Sequence, residues 1–191
     1  MEDFKAANFS KNPNANSGER VTARTSWVAP PRGWLKANWD AALNRPKGVM
    51  GLGIVVRDSE GRVRAARSNT RRGLLDPTVA EAVAAYQAVL FCNELGYTHI
   101  ILEGDAKNIV DVVKDNGCNR SRMGQMIDDI RTTLCYLTDW KIEYVSRRNN
   151  SAAHRLAKEA TTDIIDRNWL EKTPECICDI ILMEKSSSSV I

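Results

Sequence analysis

The 191-residue chain lacks any apolar run near the roughly 20 residues that a membrane-spanning helix needs. Its N-terminus has no apolar segment of the signal-peptide type, and Glu2 and Asp3 are unlike the acid-poor start of a transit peptide. These absences argue against a membrane protein and against a secreted one. The expected location is therefore intracellular, in the nucleus or the cytoplasm.

Paired cysteines and a strong net charge are missing as well. The five cysteines share no repeated spacing, and Cys176 and Cys178 have no second Cys or His pair nearby, which argues against a structural zinc site. The formal net charge of +3 permits nucleic-acid binding without indicating it. Any case for a nucleic-acid partner must rest on where the charged residues lie.

What the chain does contain is enough apolar sequence for one core. With 43% hydrophobic residues, the length suits a single domain, which we place at 27–183. Residues 1–26 are rich in Asn, Ser, Lys and Arg without apolar periodicity, which predicts a disordered N-terminal tail. A serine run predicts a second disordered tail at 184–191. No internal repeat is visible, and we expect a monomer.

The order of patterns along the domain predicts its fold class. Strands at 34–40, 50–57 and 62–70 are joined by short connections, which favour an antiparallel meander. Periodic apolar segments predict further elements in the order helix 77–95, strand 98–102, helix 106–116, helix 123–137, strand 140–145 and helix 150–165. A strand followed by a helix and another strand implies parallel pairing. The prediction is an α/β fold with a five-stranded mixed sheet, three antiparallel strands then two parallel, and helices on both faces.

Three acidic residues stand out in these elements. A period of two places Lys36, Asn38 and Asp40 on one face of the first strand, opposite Leu35, Ala37 and Trp39. A carboxylate inside a strand is costly unless a cation compensates it. Glu81, early in the first helix, and Asp105, after the fourth strand, could join Asp40, and a divalent cation is the usual remedy for such mutual repulsion.

Each acidic residue also has a simpler interpretation. Asp40 could be a structural carboxylate. Glu81 could complement the dipole of its helix, and Asp105 could cap the helix that follows it. We favour the shared metal site because all three occur together.

Five short motifs carry a resemblance to a known family. In order they are Trp34-Leu35-Lys36-x-Asn38-x-Asp40, Gly51-x-Gly53-x-Val55-x-Arg57-Asp58, Ala80-Glu81, Glu103-x-Asp105 and Arg147-x-x-Asn150-x-x-Ala153-His154. As a set they resemble the type 1 ribonuclease H fold, in particular the plant ribonuclease H-like domains related to non-LTR retrotransposon reverse transcriptases. The resemblance implies hydrolysis of the RNA strand of an RNA–DNA hybrid with two Mg²⁺ ions, or with Mn²⁺. It also implies that Asp40 bridges both ions, while Glu81 and Asp105 hold the metal on the leaving-group side.

His154 departs from the family pattern. The resemblance makes it the fourth catalytic and metal-binding residue, at a position that is commonly a carboxylate. Imidazole is a neutral and softer ligand, which should hold Mg²⁺ less well and Mn²⁺ or Zn²⁺ comparatively better. A surface histidine without a ligand role is the simpler interpretation. The alternative to an active nuclease is therefore a weak or inactive domain that binds nucleic acid or another partner.

Basic and small residues complete the expected site. The candidate contacts to an RNA–DNA hybrid or another nucleic acid are Lys107, Asn108, Arg147, Arg148, Asn150 and Arg155. A second basic group either binds nucleic acid or protects a sheet edge from aggregation, and it comprises Arg57, Arg62, Arg64, Arg67, Arg71 and Arg72. Gly51 and Gly53 share one strand face, where either a packed helix or a nucleic-acid backbone could come close.

Overall fold

A six-stranded mixed sheet organises the computed structural model, which describes residues 27–73, 76–115 and 122–188. The tail expected at 1–26 lies outside the described residues. The strands are β1 Leu35–Asn44, β2 Val49–Arg57, β3 Val63–Arg72, β4 His99–Gly104, β5 Asp139–Tyr144 and β6 Arg167–Leu170. The helices are α1 Pro77–Glu94, α2 Lys107–Lys114, α3 Arg122–Leu134, α4 Ser151–Ala160 and α5 Cys178–Ser188. None of the described helices is both long enough and apolar enough to cross a bilayer.

The strand order is β5-β4-β1-β2-β3-β6. Strands β1, β2 and β3 pair antiparallel, and β4 and β5 extend the sheet in parallel from the other side of β1. This agrees with the predicted α/β class, but the prediction of five strands is corrected to six. The added strand β6 pairs antiparallel with β3. It has only four residues, too few to display a period of two in the sequence.

The C-terminal segment also differs from its prediction. Helix α5 continues to Ser188, where the sequence suggested a disordered tail from residue 184. The reason is a buried ion pair between Glu184 of α5 and Arg57 of β2, whose side chain is 1% exposed. The guanidinium carbon of Arg57 also lies 3.6 Å from the centre of the Trp27 ring. Arg57 is therefore a core residue, which corrects its placement in the surface group of arginines.

Helices cover both faces of the sheet. The larger core lies under α1, α2 and α3, and a smaller one lies under α4 and α5. Helix α1 buries mainly small residues against the sheet: Ala80, Ala82, Ala84, Ala85 and Ala88. Small side chains allow the helix backbone to lie close to the strands, which brings Glu81 near β1.

Glycines of β2 bring α4 equally close on the opposite face. A Cβ atom on Gly51 would lie 2.1 Å from the carbonyl oxygen of Ala157, and one on Gly53 would lie 2.3 Å from that of Ala153. The sequence left open whether a helix or a nucleic-acid backbone approaches these glycines. The structure shows that it is the helix that carries His154.

We expect Gly53→Ala to lower the free energy of unfolding by about 3 kcal/mol or more, because the added methyl group collides with the backbone of α4. Gly48→Ala is the control. Its Cβ would meet nothing within 4 Å, so only the strain at its φ of 63° remains, about 1–2 kcal/mol. Urea unfolding of both variants measures the difference. An equal decrease in the free energy of unfolding in both variants would contradict the close packing of α4 on β2.

Candidate active site

Asp40 occupies a fully buried position in the middle of the sheet. Asp40 is 0% exposed, and its strand β1 lies between β2 and β4. The neighbouring Trp39 points to the other face and pairs in register with Gly104 of β4. A Cβ atom on Gly104 would lie 2.3 Å from the Trp39 indole, so only glycine fits beside this ring. The close register of the two strands sets Asp40 beside the residue that follows Gly104, which is Asp105.

Glu81 and Asp105 reach the same place from different elements. Glu81 lies in the second turn of α1, which begins at Pro77. The helix is capped by Asp76, whose carboxylate accepts a hydrogen bond from the Val79 amide at 3.0 Å. Asp105 follows β4 directly. The simpler interpretations of these two acids do not hold, because the first turn of α1 contains no acidic residue and the N-cap of α2 is Ala106.

The three carboxyl groups form one cluster. One oxygen from each of Asp40, Glu81 and Asp105 lies within 4.8 Å of the others. In the part of the chain that the structure describes, the buried atoms Asp40 Oδ1 and Glu81 Oε2 have no hydrogen-bond partner. Buried carboxylate oxygens without donors are unfavourable unless a cation binds them. The donor set is all oxygen, as hard divalent cations prefer, so these residues fit a metal of this kind.

The cluster retains protons without a metal. Burial, followed by repulsion from Glu81 and Asp105, raises the pKa of Asp40 to about 9. Burial and then repulsion from Asp105 raise the pKa of Glu81 to about 8. The guanidinium of Arg147 opposes both shifts. At neutral pH the metal-free site therefore holds Asp40 and Glu81 largely in the neutral form.

His154 lies within hydrogen-bond distance of Asp40. In the described part of the chain, this is its one hydrogen-bond contact with the acidic cluster. Its Nδ1 lies 2.8 Å from Asp40 Oδ2 and 3.2 Å from Arg147 Nη2. Arg147 is cationic and has no acceptor atom, so its position beside Nδ1 favours an unprotonated nitrogen. Burial and the charge of Arg147 lower the pKa of His154, in agreement with a neutral ring. The contact is thus a hydrogen bond from the protonated Asp40 to His154 rather than an ion pair.

Arg147 and Asn150 surround this pair. The Arg147 side chain is 65% exposed, and its Nε lies 3.8 Å from Asp105 Oδ2. The buried amide of Asn150 donates to the Trp39 carbonyl at 2.8 Å and to Asp105 Oδ1 at 3.3 Å. Asn150 therefore connects β1, Asp105 and the start of α4. It is 1% exposed, whereas the sequence suggested a nucleic-acid contact at the surface.

The other predicted contact residues have exposed side chains. Lys107 forms an ion pair with Asp111 one turn along α2, and Asn108 is exposed beside it. Arg148 is exposed next to Arg147, and Arg155 of α4 is exposed and donates to the Cys176 carbonyl at 3.5 Å. The cluster itself thus gathers Asp40, Glu81 and Asp105, with His154 and Arg147 at its rim.

Sequence reasoning missed a buried polar network behind Asp40. Lys36 Nζ lies 2.6 Å from Glu103 Oε1, and Asn38 donates to Glu103 Oε2 at 3.2 Å. The side-chain oxygen of Asn38 accepts from Trp27 Nε1 at 2.9 Å and from Arg57 at 3.1 Å. These residues hold β1 against β4 on the face that carries Asp40. The alternation of Lys36, Asn38 and Asp40 along β1 was the available signal.

Comparisons with known proteins identify the family of the chain. The profile of a family described as reverse transcriptase-like matches residues 38–160, more than half of the chain. An Arabidopsis thaliana protein named "Putative ribonuclease H protein" is 26% identical over 167 residues, which cover 85% of this chain and 26% of that protein. The chain therefore spans about a quarter of the length of this relative.

Solved structures of ribonucleases H have the same architecture. Ribonuclease H1 from the archaeon Halobacterium salinarum is 25% identical with a TM-score of 0.62, covering 68% of this chain and 98% of that one. The N-terminal ribonuclease H domain of a Mycobacterium tuberculosis protein is 20% identical with a TM-score of 0.61, covering 69% and 95%. A ribonuclease H1 in complex with an RNA/DNA hybrid is 17% identical with a TM-score of 0.58, covering 65% and 94%. The chain belongs to the reverse transcriptase-like family and has the ribonuclease H fold.

Proposed function

We propose that this protein is a metal-dependent endonuclease that cleaves the RNA strand of RNA–DNA hybrids. The observation that carries the proposal is the cluster of Asp40, Glu81 and Asp105, with ligand atoms within 4.8 Å of one another at a buried position of the sheet. The likeness to ribonucleases H, including one described in complex with an RNA/DNA hybrid, supports this substrate class.

Asp40, Glu81 and Asp105 would hold the divalent ions, with Mg²⁺ preferred for an all-oxygen donor set. When bound, two such ions supply an activated water and stabilise charge on the leaving oxygen. Asp40 must release its proton to bind metal, which removes the hydrogen bond that it now donates to His154 Nδ1. His154 is then available as a further ligand on the side of Asp40.

Positive charge at the rim would orient the substrate. Arg147 is exposed and already faces the acidic cluster, so its guanidinium can contact a phosphate while remaining near Asp105. Arg148, Arg155 and Lys107 are exposed as well. We propose these residues as backbone contacts, which position a substrate without reading its sequence.

A cleavage assay on an RNA–DNA hybrid labelled on the RNA strand tests the proposed function. We expect RNA cleavage with Mg²⁺ or Mn²⁺, a relatively higher rate with Mn²⁺ because of His154, and none with a chelator. Intact DNA and intact unpaired RNA under the same conditions would establish hybrid specificity. The absence of cleavage with every metal would contradict the proposal.

A second candidate function is nucleic-acid binding without turnover. The observation in its favour is the hydrogen bond between Asp40 and His154, which keeps a proton on the central acid. This function predicts that the natural chain binds the hybrid and that Mn²⁺ neither raises the melting temperature nor produces cleavage. The two candidates therefore give different results in the same assay.

We also expect metal-induced stabilisation to increase with pH. The pKa values of Asp40 and Glu81 are raised to about 9 and about 8, so their protonated forms stabilise the metal-free fold at acidic pH. That contribution is lost as the pH rises from near 4 through 8 and 9. Because a metal ion must displace these protons, protonation of each acid lowers the metal affinity of the site. The decrease is about tenfold for each pH unit below the pKa of that acid.

The measurement is the rise in melting temperature on adding Mg²⁺ at pH 6 and at pH 9. We expect a clearly larger rise at pH 9. The Glu81→Gln variant, which has one titrating acid fewer, should show a smaller pH dependence. A rise that is the same at both pH values in the natural chain would contradict the assignment of these acids as ligands.

A further inference from the structure

A cavity of about 660 Å³ lies beside the acidic cluster, between the β1–β2 turn and α4. Arg45 of the turn lines one side. His154 and Lys158 of α4, with Thr162 beyond its end, line the other side. Arg147 lies at the end of the cavity that faces Asp105. The cavity therefore begins at the candidate active site and extends along α4 away from it. We call it the α4 groove.

The α4 groove is positively charged. Arg45, Arg147 and Lys158 line it, and none of its described lining residues is an Asp or a Glu. Arg45 and Lys158 are exposed, and no carboxylate of the described residues lies within ion-pair distance of either. The carboxylates nearest in sequence, Glu159 and Asp163, line a different cavity. Unpaired cations in a concave surface raise the local concentration of anions.

We propose that the α4 groove binds the phosphodiester backbone of the nucleic acid beyond the scissile position. The proposal rests on the proposed function and extends it, because it adds Arg45, Lys158 and Thr162 to the substrate contacts. Arg45 and Lys158 would contact phosphates, and the Thr162 hydroxyl can donate to a phosphate oxygen. A nucleic acid is favoured over an acidic protein because the groove continues directly from the acids proposed to cleave a phosphodiester.

The length of the groove indicates how much substrate it holds. From His154 to Ala160 the wall follows six residues of α4, roughly 9 Å at the ~1.5 Å rise of a helix, and Thr162 lies beyond the helix end. A strand within a duplex advances about 3.4 Å per nucleotide along the duplex axis, so the groove covers roughly three nucleotides. Substrate contact would thus extend well past the acids, on one side only.

A pair of matched double variants tests the proposal. Arg45→Gln/Lys158→Gln removes two charges from the groove. Arg32→Gln/Lys114→Gln removes two charges from exposed side chains that do not line it. Binding of a fluorescein-labelled RNA–DNA hybrid is measured by anisotropy over a series of salt concentrations without metal. Steady-state cleavage with Mg²⁺ gives kcat and KM for the same proteins.

We expect the groove variant to bind the hybrid at least about tenfold more weakly than the control variant. The slope of log K against log salt should fall by about 2 in magnitude, since each lost phosphate contact contributes about 1. KM should rise while kcat stays unchanged, because neither side chain contacts the carboxylate cluster. Unchanged melting temperatures would show that both variants are folded.

The outcomes separate this proposal from the proposed function. Equal salt slopes in the two double variants would overturn the proposal that the α4 groove binds nucleic acid, even if the natural chain cleaves the hybrid. Hybrid binding that weakens in the groove variant supports the groove even if no metal gives cleavage, which would overturn the nuclease alone. A natural chain that binds no hybrid overturns both. Loss of poly-glutamate binding in the groove variant, with hybrid binding unaffected, would assign the groove to an acidic protein.

A second measurement uses the one-sided geometry. Hybrids are shortened step by step from either end around a fixed cleavage position. The natural chain should lose affinity when one particular end is shortened by about three nucleotides. The groove variant should be insensitive to that shortening. Equal sensitivity of the two proteins would overturn the proposal.

Discussion

Asp40→Asn is expected to abolish RNA cleavage while leaving the fold intact. Asparagine has nearly the same shape but cannot supply the charge that would bind two metal ions. We expect a loss greater than the ~10–100-fold that follows removal of an outer partner of a metal site. The rise in melting temperature on adding Mg²⁺ should disappear as well. Rates on a labelled hybrid and melting curves with and without metal measure both effects.

Without metal, the same variant should be at least as stable as the natural chain. Asp40 is fully buried and its pKa is raised to about 9, so the neutral asparagine resembles the protonated acid that the fold already contains. The advantage should grow as the pH rises toward 9, where the natural chain begins to carry a buried charge. A strongly destabilised variant would point to a structural role for Asp40.

Asp139→Asn is the matched control for this change. Asp139 is also a strand aspartate, but it is exposed at the start of β5, away from the C-terminal end of β4 where Asp105 lies. Its replacement should leave cleavage and metal-induced stabilisation unchanged. Cleavage that survives in Asp40→Asn would contradict the candidate site.

His154→Asp should raise Mg²⁺-dependent cleavage. The new carboxylate would lie next to Asp40, where His154 Nδ1 is now 2.8 Å from Asp40 Oδ2. A fourth hard oxygen ligand should increase Mg²⁺ affinity, by about 10–100-fold on the scale of changes around metal sites. The relative advantage of Mn²⁺ over Mg²⁺ should shrink at the same time. Metal titrations of the cleavage rate give both quantities.

The cost of this change should be lower stability of the metal-free protein, because a fourth acid is added to three that already repel one another. His154→Asn is the control, since it removes the imidazole and adds no charge. If His154→Asp and His154→Asn cleave at the rate of the natural chain with Mg²⁺, then position 154 does not contribute to metal binding.

The elements around the site were predictable from local sequence. Asp40 lies on the polar face of an alternating strand, Glu81 lies early in a helix that begins with Pro77, and Asp105 follows a short β-branched run, so each has a local signal. Their meeting point follows from the parallel pairing of β1 and β4, which the strand–helix–strand order implies. The structure brings these three acids together as the sequence suggested.

Other features depend on contacts between distant residues. Arg57 has the sequence context of a surface arginine on an outer strand, yet it is buried because Glu184, 127 residues away, and Trp27 surround its guanidinium. No local periodicity predicts the ion pair between Arg57 and Glu184, or the helix α5 that contains Glu184. Likewise, the charge pattern of α4 does not reveal that Lys158 and Arg45 line one cavity.

The most direct measurement of the central claim is anomalous X-ray scattering from crystals of the natural chain soaked in Mn²⁺. The account predicts anomalous density at about 2.0–2.3 Å from carboxyl oxygens of Asp40, Glu81 and Asp105. It also predicts that Asp40 no longer contacts His154 through a shared proton. Crystals saturated with Mn²⁺ that show no density among these three carboxyl groups would contradict it.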